Sequence, residues 1–371
     1  MICLRVLLCL VWSICTIDGA TFSEMLSLYN TLTNGINKNL RPNINYDQAT
    51  NISIGFTILN LQDIDEVKGV ISVAGYFTVR WKDENLVWTP SSYNNIKYIT
   101  LPYDVIWRPP LMNANTANEF KTFGLEDTFL QVNYDGEVTW LPGENLYFLC
   151  DIDTTYFPFD TQKCEFIIKV WGFPDNEIVI TPTDSTINTD IYQSNSEWNL
   201  TQTVVYSDIT QTPKVRFKLF YKRRPLFLLT TLVIPSILLA LLNICVFLLP
   251  QDTGERIGFS ITLLLAVVVF MTIAQGLLPA TAVPRLSVIC TILLIDMVMS
   301  GLIVASVIVS AWFYYRSESE LIPNWIQTIV HLKICKDKSS NEISDKIFSY
   351  HCNVTCIMFI VYFYNYIYMS V

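Results

Sequence analysis

The sequence predicts a multi-domain membrane protein, in which an all-β, immunoglobulin-like sandwich is followed by a bundle of four membrane-spanning helices. Strand-like segments fill residues 21–225, whereas every apolar stretch of 20 residues or more lies after residue 225. The composition agrees, because 51% of the residues are hydrophobic and only 15% are charged, against about 25% in soluble proteins. A net charge of −9 argues against a nucleic-acid partner.

The N-terminal segment, residues 1–20, has the pattern of a signal peptide. Arg5 precedes a short apolar run, Val6–Ile17, which is too short to cross a membrane. The alternative is a fifth, buried helix. A cleaved signal would place the domain at 21–225 outside the cell.

Two cysteines in this domain are expected to pair. Between residues 16 and 244 only Cys150 and Cys164 occur, and two cysteines in a secreted region favour a disulfide. Asn51 and Asn199 each begin an acceptor motif for N-glycosylation, which agrees with an extracellular face.

Alternating apolar residues, rich in β-branched and aromatic types, predict strands in the extracellular domain, and Ser23–Asn34 is the one helix expected there. The turn Tyr134-Asp135-Gly136 predicts a hairpin. The predicted strands are Ile52–Asn60, Val70–Trp81, Phe129–Asn133, Glu137–Trp140, Cys164–Trp171 and Val215–Tyr221.

Four apolar segments predict transmembrane helices. Three lie within residues 226–315, and the fourth is 352–371, after a cytoplasmic loop at 316–351. The predicted location is the plasma membrane, with several passes and an extracellular N-terminal domain, a postsynaptic site being one such location. The three segments within 226–315 are Leu226–Leu249, Ile257–Pro284 and Leu286–Tyr315.

The second segment carries a stripe of seven residues at spacings of three and four, which places them on one face of an α-helix. Most of them are small or hydroxylated, the middle is apolar, and one end is a carboxylate. Close helix packing and a pore lining both explain such a face. The seven residues are Glu255, Gly258, Thr262, Leu265, Val269, Thr272 and Gly276.

The chain shows no enzyme signature. It has two histidines, and no nucleophile–base pair, phosphate-binding loop or metal cluster is visible in the sequence. We therefore expect no catalytic residue, no cofactor and no metal site.

Several motifs together give the chain a resemblance to a known family. The segment CDIDTTYFPFDTQKC, from Cys150 to Cys164, and the segment from Gly254-Glu255-Arg256-Ile257 to Pro279-Ala280-Thr281 resemble the signature loop and the pore helix of the Cys-loop receptors. These receptors are the pentameric ligand-gated ion channels, and the match is to the nicotinic acetylcholine receptor-like, cation-selective branch. Trp81, Trp107 and Arg223-Arg224-Pro225 follow in the order of that family.

The resemblance implies a subunit of a neurotransmitter-gated, cation-selective channel, in which a ligand at extracellular subunit interfaces opens a pore lined by the second helix. Its implied partners are an acetylcholine-like cation, permeating cations, homologous subunits of a pentamer and the lipid bilayer. The alternative is a non-conducting, structural or assembly subunit of a heteropentamer.

The resemblance also assigns roles to individual residues. The principal ligand face would hold Trp171, Phe173 and Tyr206, and the complementary face would hold Tyr76, Trp140 and Leu141. Coupling between binding and gating would involve Phe157, Pro158, Asp160, Arg223, Arg224 and Pro284.

The principal face departs from the family pattern. Ala114 and Thr212 stand where the family has ligand-site aromatic residues, and the adjacent cysteine pair of α subunits is missing. These departures predict a subunit of the non-α type.

Overall fold

The computed structural model describes residues 20–124, 128–174, 176–208, 213–250, 254–276 and 288–315. They divide into two compact units. The first contains the described residues up to Ile152 together with Thr161–Lys222, and the second contains Asp153–Asp160 together with the described residues from Arg223 onward. The predicted signal peptide, cytoplasmic loop and fourth transmembrane helix, as well as Thr212 and Pro284, lie outside the described residues.

The first unit opens with helix α1, Phe22–Thr33, which confirms the predicted helix. Its N-terminus is a capping box, in which the Thr21 hydroxyl accepts from the backbone N–H of Glu24 and the Glu24 carboxylate accepts from the backbone N–H of Thr21 at 2.7 Å. Leu28 and Leu32, four residues apart, turn the apolar face of the helix into the core.

Eleven strands follow among the described residues. All six predicted strands are confirmed, and five more occur in which the alternation is short or interrupted by polar residues. The strands are β1 Thr50–Asp65, β2 Val70–Lys82, β3 Tyr98–Pro102, β4 Leu111–Asn113, β5 Phe129–Asn133, β6 Glu137–Trp140, β7 Gly143–Leu149, β8 Thr161–Val170, β9 Ile178–Pro182, β10 Trp198–Asp208 and β11 Lys214–Arg223.

The strands form two sheets. The larger has the order β3-β5-β6-β2-β1-β9, with β7 also paired to β2, and the smaller has the order β10-β11-β8-β4. Strands β5 and β6 form the predicted antiparallel hairpin, with Val132 opposite Val138. The sheets make a sandwich because each presents one apolar face to the other.

Four phenylalanines illustrate the contact between the sheets. Phe56 and Phe77 come from the larger sheet, and Phe166 and Phe217 come from the smaller one. The Phe166 and Phe217 rings stack with centroids 4.7 Å apart, and Phe56 meets Phe166 edge-on at 5.1 Å. Such offset and edge-on contacts stabilise a core beyond the burial of apolar area alone.

The predicted disulfide is present between Cys150 and Cys164, which both belong to the first unit. The loop that it closes includes Asp153–Asp160, which belong to the second unit. The disulfide therefore joins the two ends of this loop in the first unit, whereas the residues in the middle of the loop belong to the second unit.

Three of the described helices are long and apolar enough, by length and composition, to cross a membrane. They are α2 Leu226–Leu248, α3 Glu255–Gln275 and α4 Val288–Tyr314. They pack together through polar as well as apolar residues, since the Asn243 amide on α2 donates to the Ser300 hydroxyl on α4 at 2.6 Å.

Helix α2 contains a π-helical turn at Leu229–Val233, just before Pro235. Proline has no backbone N–H, so the regular series of backbone hydrogen bonds along the helix is interrupted at this point. The hydroxyls of Thr230 and Thr231 both donate to the carbonyl of Phe227 at 2.8 Å, which satisfies an acceptor in the widened turn.

Candidate functional site

All seven residues of the stripe on α3 are exposed in the single chain. Leu265 and Val269, in its apolar middle, expose 62% and 49% of their surface. The helix instead buries its other side, through Arg256, Ser260, Leu263, Val267 and Ala274. Within the described part of the chain, the stripe is therefore left uncovered while the opposite face packs.

The buried side of α3 contacts both neighbouring helices. Leu263 packs with Val246 of α2 and with Ile303 and Val307 of α4. Near the other end of the helix, Ala274 packs with α2 and α4 through a second apolar cluster. These contacts fix the rotation of α3 and so determine which residues form its free face.

The two threonines of the stripe use their hydroxyl hydrogens on the helix itself. Thr262 donates to the carbonyl of Phe259 at 2.8 Å, and Thr272 donates to the carbonyl of Val269 at 2.7 Å. A hydroxyl that donates in this way still has acceptor lone pairs. The exposed face therefore offers hydroxyl oxygen acceptors.

Asp160 and Arg223 form a buried ion pair within the second unit. The Arg223 Nε donates to Asp160 Oδ1 at 2.8 Å and its Nη2 donates to Asp160 Oδ2 at 3.1 Å, a two-point geometry that holds both groups in one orientation. Of the two arginines predicted to couple, Arg223 is buried and Arg224 is exposed.

Phe157 links this ion pair to the helices. Its ring lies under the Arg223 guanidinium at 4.8 Å and is 2% exposed. The ring packs in one cluster with Leu232 of α2, Ala274 of α3 and Ile289 of α4. Pro158 beside it is also buried. The tip of the disulfide-closed loop is thus packed into the helical unit through residues predicted to couple.

Two of the three aromatic residues predicted for the principal ligand face, Trp171 and Tyr206, lie on or directly after strands of the smaller sheet. Trp171, just after β8, is 55% exposed, and Tyr206 on β10 is half-buried. Phe173 instead meets the buried Trp107 edge-on at 6.4 Å and packs against the core. Trp171 is therefore the most accessible of the three rings.

One residue predicted for the complementary face needs correction. Trp140 is 1% exposed and points into the core, where Arg108 lies over its ring at 5.3 Å, so it cannot meet a ligand in this fold. Alternation along β6 turns its neighbours Thr139 and Leu141 outward instead. Leu141 is 54% exposed, and Tyr76 on β2 is half-buried.

Thr139 is a candidate that the sequence analysis missed. It lies opposite Gln131 of β5 and Arg80 of β2, so these three residues share the outward face of the sheet. Alternation along β6 would have identified it, because Trp140 lies two residues after the buried Val138 and shares its inward face, which leaves Thr139 on the outward face.

Comparison with known proteins agrees with both units. Residues 26–225 match the neurotransmitter-gated ion-channel ligand binding domain, and residues 232–344 match the neurotransmitter-gated ion-channel transmembrane region. The chain belongs to the neurotransmitter-gated ion-channel family, whose members are ligand-gated channels and not enzymes.

The relatives are nicotinic receptor subunits. The chain is 30% identical over 334 residues to the neuronal acetylcholine receptor subunit alpha-3 of Homo sapiens, covering 88% of this chain and 65% of that protein. It is 28% identical over 313 residues to the acetylcholine receptor subunit alpha-1-A of Xenopus laevis, covering 81% of this chain and 68% of that protein. The match to the human protein thus spans slightly less than two thirds of its length.

These matches do not support the prediction of a non-α subunit. Both relatives are named as alpha subunits. Similarity over more than 300 residues is dominated by the scaffold, whereas the departures at Ala114 and Thr212 are local. The missing aromatic residues at these two positions therefore do not assign the chain to a non-α branch.

Proposed function

We propose that this chain is a subunit of a neurotransmitter-gated, cation-selective channel of the plasma membrane. Five homologous subunits would surround a pore, and each would contribute the stripe on α3. The observation that carries this proposal is that all seven stripe residues are exposed while the opposite face of the helix packs within the chain.

Each level of the stripe has a distinct part in conduction. Five copies of Glu255 form a carboxylate ring at the cytoplasmic mouth, which attracts cations and repels anions. The Thr262 hydroxyls replace part of the ion's water, and rings of Leu265 and Val269 close the pore by dewetting. The pore is widest where the stripe residues are small, as at Gly258 and Gly276, and narrowest at Leu265 and Val269.

The transmitter binds outside the membrane, at the interface between two subunits. An acetylcholine-like cation is the proposed ligand class, because the relatives are acetylcholine receptor subunits and because ring faces attract a quaternary ammonium. Trp171, which is exposed, and Tyr206, which is half-buried, belong to this chain's principal face. Tyr76 and Leu141, with Thr139, belong to the other.

Ligand binding reaches the pore through the tip of the disulfide-closed loop. Phe157 and Asp160 hold Arg223 at the start of the first transmembrane helix, and Phe157 also contacts the end of α3. A ligand that binds the open state more tightly would shift this packed element and open the pore.

Reversal potentials test cation selectivity. We expect a sodium-dilution step to shift the reversal potential in the direction of a cation channel, and the variant Glu255→Ala with Pro-Ala inserted before Arg256 to shift it much less. Glu255→Asp, which keeps the charge, is the matched control. A dilution-induced shift as large in the Glu255→Ala variant as in the wild type would contradict the proposed selectivity.

A second candidate is an assembly subunit that joins pentamers without forming its own ligand site. Ala114 and Thr212 in place of aromatic residues favour it. Co-expression separates the two functions: an assembly subunit raises the surface expression of partner subunits while the stripe variants leave the currents unchanged.

A further inference from the structure

The outward face of the smaller sheet is basic. Along β8 and β11 every second residue points away from the core, as alternation requires. Lys169 lies opposite Lys214, and Glu165 lies opposite Lys218, so these side chains form two adjacent rows. We call them, with Trp171 and with Tyr206 and Asp208 of β10, the outer face.

The charge of the outer face differs from that of the chain. The outer face carries six basic residues and two carboxylates, a net charge of +4, whereas the chain as a whole carries −9. The basic residues are Lys163, Lys169, Lys214, Arg216, Lys218 and Lys222, and the acidic ones are Glu165 and Asp208. Such a face does not favour a second cation.

Two of these lysines lie directly on the rings proposed for the ligand. The Lys169 ammonium is 4.7 Å from the centre of the Trp171 ring, and the Lys218 ammonium is 5.1 Å from the centre of the Tyr206 ring. Both distances are within the ~6 Å range of a cation–π contact. One face of each ring therefore already holds a cation of the protein.

The carboxylate of Glu165 holds the second of these contacts in place. It pairs with Arg216 and with Lys218, the latter at 3.6 Å, and it accepts from the Tyr206 hydroxyl at 3.4 Å. The pKa of Lys218 is raised, first by its hydrogen bond with Tyr206, so the ammonium stays charged at neutral pH. Arg216 also pairs with Asp208 at 3.0 Å, which extends the network to β10.

We propose that Lys169 and Lys218 act as tethered ammonium groups that occupy the aromatic faces of Trp171 and Tyr206 and exclude a quaternary ammonium ligand from this chain's own principal face. The inference rests on the proposed function, because it assumes that these two rings belong to a transmitter face. An incoming cation must displace a side chain held beside the ring by the backbone, and it meets the repulsion of the remaining basic residues.

Because lysines of the chain itself lie over these two rings, the sites at which an acetylcholine-like ligand binds in the assembled receptor are restricted. It binds where a neighbouring subunit supplies an unoccupied aromatic face and this chain supplies Tyr76 and Leu141. Lys169 and Lys218 are then specificity-determining residues of the principal face.

The test measures the binding of tetramethylammonium to the full-length chain in lipid nanodiscs by saturation-transfer difference NMR, which detects weak ligands. We expect the double variant Lys169→Gln/Lys218→Gln to bind at least tenfold more tightly than the wild type, the order of one cation–π contact. Adding Trp171→Ala to this variant should remove the gain. The oligomer size on native electrophoresis checks that each variant is assembled.

Lys214→Gln is the matched control. Lys214 lies on the same face and carries the same charge, but its described contact is with Asp208 at 3.3 Å and not with a ring. A gain confined to the double variant supports ring occupation. An equal gain in Lys214→Gln, tight binding by the wild type, or no binding by any variant would overturn the proposal. Because binding is read without current, a failure of ion conduction leaves this test unaffected.

Discussion

At the scale of single residues, the buried Asp160–Arg223 ion pair holds the chain just before the first transmembrane helix, which begins at Leu226. Its side chains are 1% and 6% exposed, so each needs the other to offset its lost hydration. The resemblance to the family assigned both Arg223 and Arg224 to coupling, together with Asp160. Only packing could decide between adjacent arginines, and it buries Arg223 and exposes Arg224.

Removing one partner of this pair is expected to be costly. Asp160→Asn leaves the buried guanidinium without a counter-charge, which destabilises a fold by about 3–5 kcal/mol. We predict a lower thermal unfolding midpoint for the detergent-solubilised receptor, measured by fluorescence-detected size-exclusion chromatography. Arg224→Gln, at the exposed neighbour, serves as the control and should leave the midpoint within error. Equal midpoints for the two variants would contradict the assigned role.

Asp83 gives a pH-dependent prediction. Burial raises its pKa above the ordinary value of 3.8, against the hydrogen bonds that it accepts from Asn85. As the pH rises from about 4, the unfolded chain releases this proton before the folded chain does, so the free energy of unfolding falls. Asp83→Asn keeps a carbonyl oxygen for both bonds and removes the titration.

The check is the difference in unfolding midpoint between wild type and Asp83→Asn across pH 4 to 7. We expect the variant to gain stability relative to the wild type as the pH rises through this window. A constant difference, or one of opposite sign, would show that the carboxylate is not penalised by burial.

At the scale of elements, strand alternation governs what could be predicted. It identified β1 and β2 because their apolar residues recur regularly. It did not identify β7, where the outward residues Tyr147 and Leu149 are also apolar, or β10, where polar residues such as Thr203 are frequent. The same rule, applied residue by residue to β6, would have kept Trp140 in the core. The resemblance to the family assigned Trp140 to the complementary ligand face, but the alternation of side chains along β6 buries it in the core.

Gly75 on β2 is required by the close approach of β1. A Cβ at this position would lie 2.5 Å from the carbonyl oxygen of Thr57 and would overlap the Phe56 ring. Gly75→Ala therefore overpacks the centre of the larger sheet, at a cost of about 1–3 kcal/mol or more. We predict a marked loss of folded receptor at the cell surface, measured by labelling an extracellular tag.

Gly143→Ala on β7 is the matched control for this prediction. Gly143 has no heavy atom within 4 Å of an added Cβ. Its alanine variant should reach the surface at the wild-type level. Comparable surface expression of the Gly75 and Gly143 variants would argue against the tight contact between β1 and β2.

At the scale of the whole molecule, the architecture could be predicted from the hydropathy pattern and the positions of the cysteines. Long apolar segments predicted α2, α3 and α4, and the isolated pair Cys150 and Cys164 predicted the disulfide. The rotation of α3 was not predictable from periodicity, because small and hydroxylated residues suit packing and a pore equally well. Its rotation follows from Leu263 and Ala274, whose contacts with α2 and α4 leave the stripe free.

The central claim is that this free face lines a water-filled pore, and cysteine accessibility on α3 tests it most directly. Two matched pairs compare exposed and buried positions of similar chemistry: Thr262→Cys against Ser260→Cys, and Leu265→Cys against Leu263→Cys. Every variant carries Cys245→Ser, because Cys245 is exposed. A positively charged methanethiosulfonate reagent applied to open channels should alter the current at positions 262 and 265 and leave it unchanged at 260 and 263. Modification at 260 and 263 with none at 262 and 265 would contradict the account.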